Sequence, residues 1–269
     1  SQDRIADGEL HTRLTPRGSD ELAGLAHDIN AMPAYLQQLE ASRRRWIAEL
    51  SHETRTPLAV LRGEVEALID GVRPLDHQAL ASLQGEVARL TRLMDDFHQL
   101  ALSDLRALPC HFGALDAGAL VREAATRAAP HAAAAGLTLD WAVPAEPVRA
   151  DWDRQRIEQL LTNLMQNSLR YTDAPGRLSL TLQAADDLSA TLVVEDSAPG
   201  VPTDALTRLF EPLYRADPSR SRQSGGSGLG LAICQAIVRS HGGSIVAQPS
   251  AWGGLRVEAC LPLHPGASA

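Results

Sequence analysis

From Leu22 onward apolar residues recur in steps of three and four, at Leu25, Ile29, Met32, Leu36 and Leu39, and residues 20–107 read as helix almost throughout. Alternating a and d positions of this kind form a coiled-coil seam, which obliges the segment to pack against other helices. The next seam position is Arg43, after which Trp46 and Leu50 resume the line. A charge in the seam predicts a change of partner or register there. Pro33 predicts a local kink, because the carbonyl of Ile29 loses its partner. Beyond a turn near Gly71–Pro74, a second helix carries the stripe Leu83, Val87, Leu90, Met94, Phe97 and Ala101. Two long helices joined by a short turn make an antiparallel hairpin. One hairpin cannot bury both of its faces, which predicts a dimer built as a four-helix bundle. The alternative is an intramolecular coiled coil with no dimer.

Pro109 to Gly113 punctuates the helical region, and the pattern beyond it is mixed. A helix is expected at about 116–134, strands at 137–142 and 148–150, a helix at 153–171, and strands at 177–183 and 189–196. A short helix near 203–211 precedes a loop rich in Ser, Arg and Gly. The last helix begins near Gly228, and strands at 244–248 and 255–261 close the chain. A helical hairpin followed by alternating helices and strands predicts an α+β protein of two domains joined near residue 110. Aromatic residues are only 4% of the chain, so the core must be built from Leu, Val, Ile and Ala.

The formal charge is −8, and all 25 basic residues are arginine. An acidic chain is poorly suited to sequence-independent nucleic-acid binding, which depends on neutralising phosphates. Cys110, Cys234 and Cys260 are too few and too scattered for a disulfide framework or a zinc site, and they fit a reducing compartment. No apolar run is long enough to span a bilayer and no signal peptide is visible. Because the first residue is Ser1 rather than Met, the expectation is a piece of a longer protein whose membrane segments lie outside it.

Four segments carry chemistry. In Ser51-His52-Glu53-Thr54-Arg55-Thr56-Pro57-Leu58, His52 falls between the seam positions Leu50 and Glu53, so its ring should point outward. Glu53 can accept a hydrogen bond from one ring nitrogen and leave the other as a nucleophile. A solvated surface histidine is the plain alternative. On the 153–171 helix, Asn163, Asn167 and Arg170 form a polar stripe beside the apolar face of Ile157, Leu160, Leu161 and Leu164. An amide oxygen there suits Mg²⁺ as one ligand among waters and phosphates, while a solvated stripe would need no ligand. Strand alternation puts Leu192, Val194 and Asp196 on one face and Glu195 on the other. An Asp on a helix-covered face needs a donor, and a purine's exocyclic amine would serve; a turn-capping role is the alternative. Finally, Gly225-Gly226-Ser227-Gly228-Leu229-Gly230-Leu231 runs straight into an apolar helix, a pattern that lets backbone amides approach phosphate, although a flexible linker would also be glycine-rich. Upstream, Arg215, Arg220 and Arg222 lie where they could close over anionic phosphates.

In this order the segments resemble the cytoplasmic part of a bacterial two-component sensor histidine kinase. Ser51–Leu58 matches that family's H box, Asn163–Tyr171 its N box, Asp196–Gly200 its G1 box, Phe210–Arg215 its F box and Gly226–Leu231 its G2 box. Residues Glu9–Met32 resemble the second half of a HAMP signal-relay domain. The resemblance implies a partial HAMP-like segment at 1–40, a dimerisation and phosphotransfer domain at 41–108, and an α/β-sandwich ATP-binding domain of the GHKL type at 109–269. It implies that His52 is the phosphoacceptor, that Glu53 takes the Nδ1 proton, and that Thr56 orients a water when the partner is dephosphorylated. It further implies ATP and Mg²⁺ as cofactors, with Asn167 on the metal, Asn163 supporting it, and Arg170 and Tyr171 lining the site. Asp196 would read the adenine amine, and Gly200, at the end of the same G1 box, would lie with it at the nucleotide. Arg215 and the backbone of Gly226, Gly228, Leu229 and Gly230 would hold the phosphates. The implied partners are a second copy of the chain and the receiver domain of a response regulator, with the membrane reached only through segments outside this sequence.

Three positions depart from the family pattern. Thr54 stands where Leu is usual, Leu213 where an aromatic is common, and Ala198 where the G1 box has its first glycine. A methyl at a position needing positive φ would cost about 1 kcal/mol or more. A hydrolytic ATPase of the same superfamily, or a nucleotide-binding scaffold without phosphotransfer, is the alternative. The hydrolases carry a water-activating glutamate where this chain has Asn163.

Overall fold

The computed structural model describes residue 51 and residues 54–104, 109–184, 188–216 and 228–264. His52, Glu53, Gly226, Arg220, Arg222 and the HAMP-like segment lie outside the described residues. The chain divides into two units, Ser1–Leu80 and Ala81–Ala269.

In the first unit, helix α1 covers residues 54–69. Gly71, at φ 70°, ends it in the left-handed conformation that a side chain would oppose. The Arg73 N–H then donates back to the Ala67 carbonyl at 3.0 Å, and the Arg73 guanidinium lies 3.6 Å from Glu64. Asp76 caps the next helix by accepting the Ala79 N–H at 2.7 Å. Leu58, Val65 and Ile69 stand exposed on α1.

Helix α2 is His77–Asp104. Its apolar residues divide into lines of unequal burial, where the sequence pattern had suggested one stripe. Leu93 and Leu100 are buried, Leu83, Leu90 and Phe97 half-buried, and Leu80, Val87 and Met94 exposed. The exposed line has a spacing of seven residues, as a seam directed at another helix would.

After α2 come β1 (Gly113–Asp116), α3 (Ala117–Ala134), β2 (Leu137–Ala142), β3 (Arg149–Trp152), α4 (Arg154–Tyr171), β4 (Gly176–Ala184) and β5 (Ser189–Ser197). A 3₁₀ turn at Thr203–Arg208 stands where a short helix is expected, and α5 (Gly230–Ser240), β6 (Ser244–Pro249) and β7 (Gly253–Pro262) finish the lobe. The main sheet has the order β2-β4-β5-β7-β6. β2 runs parallel to β4, and the other neighbours are antiparallel. β1 and β3 form a separate antiparallel pair.

Alternation decides which side of the sheet the helices cover. Leu178, Leu180 and Leu182 of β4, Leu192 and Val194 of β5, and Val257, Ala259 and Leu261 of β7 are buried on one face. They meet Leu120 and Val121 of α3, Ile157, Leu160, Leu161 and Leu164 of α4, and Ile233 and Ile237 of α5. The opposite face carries polar pairs, with Arg177 paired to Asp140 at 3.3 Å and stacked 4.3 Å over the Trp252 ring.

One more cluster fixes the far ends of α4 and α5. Asp153 caps α4 by accepting the Arg156 N–H at 3.1 Å, and it also takes the His111 N–H at 2.7 Å. Burial works to raise its carboxyl, but these donors and the nearby Arg156 carry it below the ordinary range. The Asp153 N–H donates to His241 Nε2 at 3.1 Å, so the proton of this buried ring sits on Nδ1, 2.8 Å from the Ile237 carbonyl. Burial lowers the His241 pKa and keeps the ring neutral.

Candidate functional site

The apolar stripe of α4 packs Ile157, Leu160, Leu161, Leu164 and Met165 inward. Helical geometry then sets Asn163 and Asn167 at the border, half-buried, and Arg170 outside. The Asn163 amide nitrogen donates to the Gly230 carbonyl at 3.4 Å, so α4 touches the first residue of α5. No side chain caps α5, whose N-cap position is Leu229. A helix start of that kind, preceded by glycine, offers amide donors and positive potential to an anion.

Gly228 has φ 72°, and a Cβ on it would stand 3.0 Å from the Leu213 backbone. The Leu213 N–H donates to the Gly228 carbonyl at 2.9 Å. Leu213 itself holds φ 63°, a left-handed conformation that costs a branched residue about 1–2 kcal/mol. Arg215 is half-buried two residues on.

Asp196 ends the buried line of β5, opposite Leu178 of β4. Two groups compensate its burial. The Ser168 hydroxyl of α4 donates to Oδ2 at 2.7 Å, and the Leu255 N–H of β7 donates to Oδ1 at 2.6 Å. Desolvation still outweighs them, so the Asp196 carboxyl sits above its ordinary pKa. Gly254 has no room for a side chain, since a Cβ would run into the backbone and carboxylate oxygens of Asp196. Gly200, in the turn after β5, is similarly crowded, with the Gly253 carbonyl 2.8 Å from where its Cβ would be.

The adjacent Glu195 is also buried, on the opposite face. Its Oε1 accepts the Ser250 hydroxyl at 2.9 Å and the Ala251 N–H at 3.1 Å, while Arg256 donates to Oε2 at 3.1 Å. These bonds hold the β6–β7 turn, the same turn that leads to the Leu255 donor. The structure therefore brings together Asp196, the α4 border with Asn163 and Asn167, and the start of α5 at Gly228, Leu229 and Gly230. Tyr171 is half-buried at the last position of α4, and Thr56 is exposed on α1 in the other unit.

Three families match the chain in succession: the HAMP domain over residues 3–38, the His Kinase A (phospho-acceptor) domain over 42–106, and the histidine kinase-, DNA gyrase B-, and HSP90-like ATPase over 152–265. The signal transduction histidine-protein kinase BaeS of Escherichia coli is 46% identical over 97% of this chain and 56% of its own length. The chain belongs to the sensor histidine kinases. It spans about half the length of the curated relatives it matches. Among solved structures, the histidine kinase AdeS of Acinetobacter baumannii aligns with a TM-score of 0.66 at 28% identity, covering 79% of this chain and 98% of that one. Full-length ShkA in complex with AMPPNP aligns with a TM-score of 0.59 at 28% identity, covering 81% of this chain and 45% of that one. A helical phospho-acceptor region followed by an ATPase lobe of the GHKL type is the architecture of this family, and this chain has it.

Within this chain, the departures from the family pattern resolve individually. Ala198 does not adopt positive φ, so the strain expected there is absent; the residue with that strain is Leu213. Thr54 is half-buried, and its hydroxyl donates to the Ser51 carbonyl at 3.3 Å, which satisfies the polar atom put in place of an apolar side chain. The residues missed from the sequence are Ser168, Gly254 and the Leu255 amide. Ser168 did leave a signal: it continues the buried line Ile157, Leu161, Leu164 on α4, a polar residue on an apolar stripe.

Proposed function

We propose that this chain is the signalling core of a sensor kinase that moves the γ-phosphoryl group of ATP onto His52 and from there onto an aspartate of a response regulator. Nε2 of His52 attacks the γ-phosphorus. An N–P bond forms as the bond to the β,γ-bridging oxygen breaks, ADP leaves, and Glu53 accepts the Nδ1 proton. In the second step the N–P bond breaks as a regulator carboxylate takes the phosphoryl group. Thr56 would orient a water for the reverse task, hydrolysis of the regulator's acyl phosphate. Phosphoryl transfer asks chiefly for positioning and charge neutralisation, and the lobe's residues suit that demand.

The observation that carries this reading is the buried Asp196 carboxylate beside α4 and the uncapped start of α5. A carboxylate acceptor fits the amine of adenine, and the α5 amides with Arg215 fit phosphate oxygens. ShkA, which aligns with this chain, was solved with AMPPNP. Among the described residues no group of three or more His, Cys, Asp and Glu could hold a metal. Mg²⁺ would rest on the Asn167 amide oxygen together with phosphate oxygens and water, and would neutralise phosphate charge there. Arg170 and Tyr171 border the same site. Asn163 stands where a hydrolytic relative has its base, and its amide is engaged in donating to Gly230, which favours transfer to histidine over hydrolysis.

The domain reading is a HAMP-like segment at 1–40, a phosphotransfer stem at 41–108 and an ATP-binding lobe at 109–269. The exposed line Leu80, Val87, Met94 on α2 supports a homodimer through the stem. Among the described residues no helix is long and apolar enough to cross a membrane. The HAMP match and the similarity to BaeS support a cytoplasmic portion of a membrane sensor. Incubated with labelled ATP and Mg²⁺, the chain should acquire acid-labile, alkali-stable phosphate. His52→Gln should abolish the label and keep nucleotide binding. Label that persists in His52→Gln, or ATP hydrolysis without any labelling, would overturn the reading.

A further inference from the structure

A serine in the dry interior of a helix needs an explanation. Ser168 is 3% exposed on the buried stripe of α4. Alanine would fill nearly the same space and is a better helix former. The usual partner of a mid-helix serine hydroxyl is the carbonyl four residues back. Here the hydroxyl instead reaches across to β5 and donates to Asp196 Oδ2 at 2.7 Å. The Ser168 carbonyl is itself fixed, because it accepts the Thr172 hydroxyl at 2.6 Å and the Thr172 N–H at 3.0 Å.

On the other side of the carboxylate, Oδ1 takes the Leu255 N–H, whose close approach depends on the missing side chain at Gly254. A carboxylate oxygen has two lone pairs. With one donor on each oxygen, the plane of the carboxylate is fixed and each oxygen retains one acceptor site. A base with an amine at its six position can satisfy such a site. A base with a carbonyl there would set lone pair against lone pair.

We infer that Ser168 is the positioning residue that sets base specificity, fixing Asp196 so that the lobe prefers a 6-amino purine nucleotide over its 6-oxo counterpart. The inference rests on the reading of Asp196 as the group facing the base. Removing the hydroxyl leaves Oδ2 buried without its donor and frees the carboxylate to turn. It also removes a bond to the ionised form, so Asp196 holds a proton to higher pH. Loss of the hydroxyl should therefore act on ATP and spare a nucleotide that gains nothing from Asp196.

The test compares binding of ATP and ITP, which carries a carbonyl at the six position, to the whole chain and to Ser168→Ala and Asp196→Asn across pH. Ser168→Ala should weaken ATP binding about tenfold, equivalent to 1.4 kcal/mol. ITP binding should change by less than about twofold, since its six-position carbonyl has no hydrogen to offer the carboxylate. The acid limb of ATP binding should move to higher pH in the same variant. If ATP and ITP weaken by the same factor and the pH limb stays put, or if nothing changes, Ser168 is only a packing residue and the inference fails. If Asp196→Asn retains the wild-type preference for ATP over ITP, the reading of Asp196 fails first. Ser168→Cys, which preserves volume with a weak donor, supplies the comparison should the alanine variant not fold; it should show the same loss of preference, and an unchanged preference in it overturns the inference.

Discussion

The stem helices and the lobe use the same apolar residues to different effect. In the lobe, Leu160, Leu161 and Ile237 are 0% exposed, covered by sheet on one side and neighbouring helices on the other. On α2, Leu80 is 54% exposed, Val87 52% and Met94 44%, in steps of seven. A helix on a sheet finds its second layer within one chain, whereas a helix with a seven-residue line of open apolar side chains needs another helix. The lobe is thus complete in one copy. In the homodimer proposed above, the stem would be completed by a second copy.

Breaking that contrast at the stem should give the largest effect. Val87→Glu with Met94→Glu places two carboxylates in the expected dimer seam and should weaken association by on the order of 4 kcal/mol, about a thousandfold. Sedimentation of the double variant should find monomers while its lobe binds ATP as before. A dimer that survives both charges would mean that the open line is not the interface. Next in size is a cavity in the lobe: Leu161→Ala should cost about 3 kcal/mol of lobe stability and leave the dimer intact. A melting profile in which the dimer is lost together with the lobe would contradict that expectation.

The smallest effect sharpens the contrast within α2. Asp96 has a carboxyl pushed up to about 6 by burial and by neighbouring Asp95, with Arg92 opposing. The folded chain holds this proton more tightly than the unfolded one. Its favourable contribution is therefore present below the ordinary value of 3.8 and lost as pH rises through about 6. Asp96→Asn should match the parent in acid and exceed it above that pH, by about 1 kcal/mol after solvent screening at a half-buried site. Helical melting across pH measures this, and parallel curves at every pH would mean that this side of α2 is wet.

Much of the lobe was legible in the sequence because its signals are local. The buried line Leu192, Val194, Asp196 follows from a period of two, and the α4 border follows from a period of 3.6. Strand β1 was missed, because Gly113-Ala114-Leu115-Asp116 is too short to display alternation. The donors to Asp196 were missed for another reason. Ser168 and Leu255 come from elements far apart in the chain, and only sheet register and helix packing decide that they meet. Ala198 and Leu213 illustrate the same limit for backbone conformation. Motif comparison suggested strain at the missing glycine, yet the left-handed residue is the leucine whose amide pairs with Gly228.

Glu195 and Asp196 are joined by a single peptide bond and serve opposite sides of a wall. One secures a turn on the outer surface, and the other meets the interior where a base would lie. Their division of labour is therefore held by parity and not by side-chain chemistry. Deleting one residue at the start of β5, with the downstream pairing slipped to match, would preserve both acids and exchange their postings, putting the longer carboxylate inward and the shorter one out. Insertions and deletions in this strand should accordingly be tolerated far less well than substitutions on its rim.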